Sequence, residues 1–151
     1  MSDKLIHLNR VHSDGHSKYV YFLLAATGAA LGYALSKLDS ASADSTVWLG
    51  IAAIATWLLS FWLGCKHLEK IQSAIWLNGE ILQLSEGSHP RQPTSADHIA
   101  IAQAAAASAL ERENGSAQTF FRWQFRTLVL GVLLFTAWRL ALLFGVLASA
   151  P

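Results

Sequence analysis

Between Val47 and Cys65 nineteen consecutive residues carry no charge, and the nineteen that follow, Lys66 to Leu84, mix charged and apolar positions with helical period. One helix over both halves is ~57 Å long at ~1.5 Å per residue, enough to cross a hydrocarbon core of ~30 Å and continue well past it. Two more apolar runs accompany it: Tyr19 to Ser36, and Thr127 to Ala148, the latter interrupted only by Arg139. With 53% hydrophobic and 14% charged residues, a chain of 151 has too little charge to coat a soluble globule. The fold expected is all-α: an integral membrane protein with three transmembrane helices, the second extended into a cytoplasmic helical hairpin.

The chain then divides into a polar cytoplasmic tail (1–17), a first span (18–36), a short external loop (37–46), a second span (47–65), the hairpin (66–119) and a third span (120–149). Within the tail, His12 and His16 are spaced to share a helix face, but Asp14-Gly15 between them favours a turn and no further ligand completes a metal site. No metal or cofactor is expected. Ala41-Ser42-Ala43 after an apolar run resembles a signal-peptide cleavage site, against which stand the long polar stretch before the run and the length of the run itself. Ser45 or Thr46 is a suitable N-cap for the second span.

In the hairpin, Gly87, Pro90 and Pro93 mark residues 85–95 as a loop between helices 66–84 and 96–113. Thr94 or Ser95 caps the second of these, Asp97 lies at capping-box distance from Thr94, and Asn114-Gly115 is the expected stop. Leu68, Ile71, Ile75, Asn78 and Leu82 follow a three-four spacing and form a cytoplasmic seam for the hairpin or a neighbour. Asn78 either fixes register in that seam or, beside Gly79, ends or kinks the helix.

Small residues recur every four positions in each span, which lets helices approach backbone to backbone. The stripes are Gly28, Gly32 and Ser36; Ala52, Thr56, Ser60 and Gly64; and Ala137, Ala141 and Gly145. Thin spans that each carry such a stripe point to a homo-oligomer. Cys65, the single cysteine, excludes an internal disulfide and reads as a small buried hydrophobe.

Nine bases lie in residues 1–18 and 66–126 against Lys37 alone in the first loop. The positive-inside rule places the N-terminus in the cytoplasm and the C-terminus outside, and brevity with sidedness suggests a bacterial inner membrane. Arg139 is the one intramembrane charge, ~18 Å along the helix from Thr127 and a little past mid-membrane by that count. A water-filled path, an ion pair with Asp39 or Asp44, or snorkelling to headgroups would each accommodate it.

No nucleophile elbow, phosphate loop, zinc motif or paired carboxylates occur, so an enzyme is not expected. Bases alternating with acids give no nucleic-acid footprint. Two functions remain. The first is a homo-oligomeric channel or pore in the lipid bilayer, with Arg139 near the pathway and the hairpin assembling or gating it. The alternative is a non-conducting membrane adaptor or accessory subunit that docks a cytoplasmic or membrane protein partner through the hairpin.

Overall fold

The computed structural model describes the backbone of residues 3–38 and 47–148, and the side chains of residues 18–38 and 47–144. Three helices make up the fold: α1 (Asp3–Leu38), α2 (Val47–Glu86) and α3 (Ala96–Ala148). No strand occurs among the described residues. Each helix contains a stretch long and apolar enough to cross a membrane. The chain divides into two compact units, a bundle of residues 1–64 and 124–151, and a hairpin of residues 65–123.

All three helices outrun the boundaries expected from sequence. α1 is helical from Asp3, through Asp14-Gly15, where a turn and a polar tail were expected. A helix nucleated in the apolar run adds a hydrogen bond with each further residue, and one glycine costs only about 1 kcal/mol against that gain. The side chains of His12 and His16, and the 39–46 segment with Asp39, Asp44, Ser45 and Thr46, lie outside the described residues.

α2 likewise continues through Asn78-Gly79 and stops at Gly87, whose φ of 71° takes the left-handed conformation a glycine adopts without cost. Ser88 N–H donates back to the Gln83 carbonyl at 3.0 Å, which closes a Schellman-type end. Gln92 Nε2 donates to the Leu84 carbonyl at 3.2 Å, satisfying another terminal acceptor. α3 begins after Ser95, whose carbonyl accepts from Ile99 N–H at 3.1 Å. It runs without a break past Asn114-Gly115, so the expected helices 96–113 and 120–149 are one helix of 53 residues.

The bundle packs by complementarity of size at intervals of seven. Gly50, Trp57 and Gly64 of α2 face Trp138, Gly131 and Gln124 of α3, in that order. Ascending sevens on one helix meet descending sevens on the other, which is antiparallel three-four packing with a large residue opposite a small one in every layer. A Cβ on Gly50 would stand 3.0 Å from the Trp138 ring, and one on Gly131 would stand 2.5 Å from Trp57 Cδ1. Trp138 and Trp57 are buried as a result. Phe135 joins them, its ring centroid 5.5 Å from each. From α1 come Val20, Leu23, Thr27 and Ala34, all buried.

In the hairpin the buried face of α2 carries His67, Ala74 and Leu84, with Lys70, Leu77 and Ile81 half-buried between them. The expected seam lies on another face: Leu68 and Ile71 are half-buried and Ile75, Asn78 and Leu82 are exposed. Two polar pairings explain the rotation. His67 Nδ1 lies 2.8 Å from the Ala117 carbonyl, and Lys70 Nζ lies 3.1 Å from Glu113 Oε2. A histidine and a lysine thus occupy the face that packs on α3, and the richest apolar stripe of α2 is left turned away.

Candidate functional site

Two places in the bundle gather polar chemistry: a layer across the middle of the α2–α3 contact, and a basic rim at the end where α1 gives way to the 39–46 segment. In the layer, α2 reaches across to backbone carbonyls of α3. Trp57 Nε1 donates to the Leu128 carbonyl at 3.2 Å, and Ser60 Oγ to the Gln124 carbonyl at 2.9 Å. Thr127 Oγ1 donates to the same Gln124 carbonyl at 3.0 Å. Each is a buried donor that finds an acceptor without leaving the apolar environment, where an unmade bond costs more than it does in water.

Gln124 itself is completely buried, and neither end of its amide has a hydrogen-bond partner among the described residues. Its Nε2 lies against Gly64, where a Cβ would stand 2.6 Å away. Trp138 Nε1 is likewise buried without an acceptor. Such groups add cost rather than stability, so the layer's contribution is to register: sliding α3 by one heptad would bring Trp138 against Trp57.

The rim is fixed by the register of α1 and α3, which run parallel. Leu24 lies against the Gly64–Gln124 layer, and further along Tyr33 meets Phe135 with ring centroids 5.8 Å apart. One turn beyond this contact on each helix stand Lys37 and Arg139. Lys37 lies over the Tyr33 ring, 5.7 Å from its centroid, and Arg139 is exposed on the outside of α3. Gly50, opposite Trp138, is three residues into α2, so Arg139 stands at the level of the first turn of that helix. Counting from Thr127 had put this arginine near mid-span; packing puts it near the end. Among the bundle residues whose side chains are described there is no carboxylate; Asp3, Asp14, Asp39 and Asp44 fall outside them.

The residues expected to matter are therefore dispersed. Ser60 and Gly64 are buried in the α2–α3 contact, while Ala52 and Thr56 are half-buried, Thr56 Oγ1 bonding back to the Ala52 carbonyl at 2.6 Å. Gly28, Gly32 and Ser36 are exposed, and nothing lies within 4 Å of a Cβ built on either glycine. Ala137 is exposed, Ala141 half-buried, and the surroundings of Gly145 are outside the described residues. Cys65 is exposed instead of buried, because Leu63 and Gly64 take the inward positions beside it. Gly50, Gly131, Trp138 and Gln124 were missed. The signal that locates them is the mirrored seven-residue spacing of large and small residues, which a search for four-residue stripes passes over.

In the hairpin the polar groups pair locally. His89 Nε2 and Glu80 Oε2 are 2.7 Å apart, and His89 Nδ1 accepts from Arg91 N–H at 3.1 Å. Lys66 Nζ lies 2.6 Å from Glu69 Oε2 and, by hydrogen bond and charge, holds that carboxyl below its ordinary value. No group of three or more metal-ligating side chains occurs among the described residues. No family model, curated protein or solved structure matches the chain.

Proposed function

We propose that the protein spans a membrane and works as a homo-oligomer whose copies surround a channel or pore, with Arg139 and Lys37 at its external mouth. The observation that carries this reading is the outward exposure of Arg139 from a bundle whose interior is filled by Trp57, Phe135 and Trp138. A path through one copy has no room beside those rings, so a polar path lies between copies. At the level of Lys37 the guanidinium is within reach of the headgroup region, where an arginine costs far less than at mid-membrane. A ring of such residues at a mouth favours anions. The outward Gly28, Gly32 and Ser36 stripe, with open space around its glycines, supports close approach of a second copy. The bias of bases toward the hairpin and the N-terminal segment supports a cytoplasmic hairpin and an inner-membrane location.

The test is anion and cation flux from liposomes carrying the full chain, together with its oligomeric state in nanodiscs. Flux that prefers anions, and loses that preference in Arg139→Glu, supports the reading. A stable monomer without flux refutes it.

A second reading, a non-conducting adaptor, draws on the hairpin. There a groove of about 390 Å³ opens between Trp76, Leu77 and Leu84 of α2 and Ala102, Ala105 and Ala106 of α3, edged by Glu80, His89 and Arg91. Trp76 and Ile101 are largely exposed, as docking residues are. An oligomer with no flux, whose Trp76→Ala variant no longer retains a soluble protein at the membrane, favours the adaptor.

A further inference from the structure

We propose that the outward face of α2 in the hairpin, Leu68, Ile71, Ile75, Asn78 and Leu82, is the seam on which a second copy of this chain docks, its α2 parallel and its Asn78 level with the first.

Four observations converge on that occupant. The five positions keep a three-four spacing over two heptads, the period with which one helix follows another along its length. Among the described residues most of the face is unused: α3 bonds to His67 and Lys70 instead, Leu68 and Ile71 are half-buried, and Ile75 and Leu82 are 64% and 56% exposed. Asn78 stands exposed in the middle of the seam, and a buried asparagine at such a position needs a polar group at its own level. A parallel second copy supplies one, Asn78 itself, and does so only in the correct register. Finally, from Ile71 to Leu82 the flank of the seam away from α3 is Gln72 and Gly79, so identical faces meet without opposing like charges and with room for close approach.

Membrane geometry selects the same arrangement. Copies inserted with one orientation are related by an axis along the membrane normal, which keeps their α2 helices parallel. A copy docked in another register would leave Asn78 opposite Leu or Ile of the seam, at the cost of an unsatisfied amide. The proposal rests on the membrane-oligomer reading, but not on conduction.

The test uses the full chain in nanodiscs or native-like vesicles, in a Cys65→Ser background, with single cysteines at Ile75, Asn78 and Glu69. Under mild oxidation Ile75→Cys and Asn78→Cys shift to twice the chain mass on a non-reducing gel, while Glu69→Cys, exposed on another face, stays at the monomer mass. Asn78→Leu, which keeps the seam apolar, changes the oligomer size or broadens it into a mixture, without loss of helix. Equal crosslinking at Glu69 and Ile75, or none at Ile75 and Asn78 in an assembly that is still oligomeric, overturns the seam. Crosslinking at the seam with no ion flux upholds it and sinks the channel; flux without seam crosslinking does the reverse. A chain that is monomeric in nanodiscs overturns both.

Discussion

Gly131→Ala isolates the size complementarity that holds the bundle together. The added methyl would stand 2.5 Å from Trp57 Cδ1 and 2.9 Å from its Cε2, distances at which one group has to move. The indole is poorly placed to yield, since it is 3% exposed and its Nε1 is tied to the Leu128 carbonyl at 3.2 Å. Forcing an extra carbon into such a contact costs about 1–3 kcal/mol. If the indole swings away, the Leu128 bond is lost as well, for about 0.5–1.5 kcal/mol. Against this, alanine is better than glycine in a helix by about 1 kcal/mol. The net expectation is destabilisation by up to about 2 kcal/mol if the indole stays and about 0.5–3.5 kcal/mol if it swings away, read by SDS titration of the full chain in mixed micelles. Gly115→Ala is the control, because nothing lies within 4 Å of its Cβ, it belongs to neither face proposed to meet a second copy, and the helix gain stands alone. Gly64→Ala falls between them, since the atoms it meets are the ends of the Gln124 and Leu24 side chains, which can turn aside. In a Trp57→Ala background the penalty at Gly131 vanishes. A Gly131→Ala protein as stable as Gly115→Ala refutes the argument.

Gly87→Ala destabilises the end of α2 by about 1 kcal/mol, because a φ of 71° is strained for any residue with a Cβ; amide exchange of residues 80–86 reports it. Gln124→Leu removes an amide that is buried with neither end satisfied and raises stability by about 1–3 kcal/mol in the same SDS titration, leaving the Ser60 bond to the backbone carbonyl intact. Lys66→Ala lets the Glu69 carboxyl rise toward its ordinary value, seen in an NMR titration. The lowered value in the folded chain means that any stabilisation from this pair is present above the unfolded carboxyl pKa and lost as pH falls through the folded one; with both partners exposed, salt removes most of it.

How much of this was legible in the sequence depends on which property carried the signal. Length and hydropathy sufficed for three helices able to cross a membrane, because a run such as Val47 to Cys65 has few other uses. Helix ends were less legible. Asn78-Gly79, Asn114-Gly115 and Asp14-Gly15 each look like a stop, yet only Gly87 ends a helix, with Pro90 and Pro93 following it. A glycine without a nearby proline or a reversal of the chain charges a helix about 1 kcal/mol, and a long helix absorbs that. The face of α2 that packs within the hairpin was illegible for a different reason. Hydropathy ranks Ile71, Ile75 and Leu82 above His67, Lys70 and Ala74, but His67 and Lys70 bury themselves by bonding to Ala117 and Glu113. Pairing is invisible until the partner helix is in place.

Arg139 shows why register outweighs counting along one helix. Measured from Thr127, it sits past the middle of a span; measured against its neighbours, it sits at the level of Lys37 on α1 and of the first turn of α2. The two measures differ because α3 continues to Ala148, beyond the start of α2, so the centre of its apolar run is not the centre of the bundle. A charge at mid-membrane demands a partner or water at every moment, whereas one at the rim can be met by headgroups, by Lys37's surroundings or by the mouth of a path between copies. In the channel proposed above, the arginine would then serve selection at an entrance rather than a barrier inside. On that proposal Arg139→Leu leaves bundle stability close to unchanged while altering which ions pass. A large loss of stability in Arg139→Leu would return the charge to the interior and undo the register from which its place was derived.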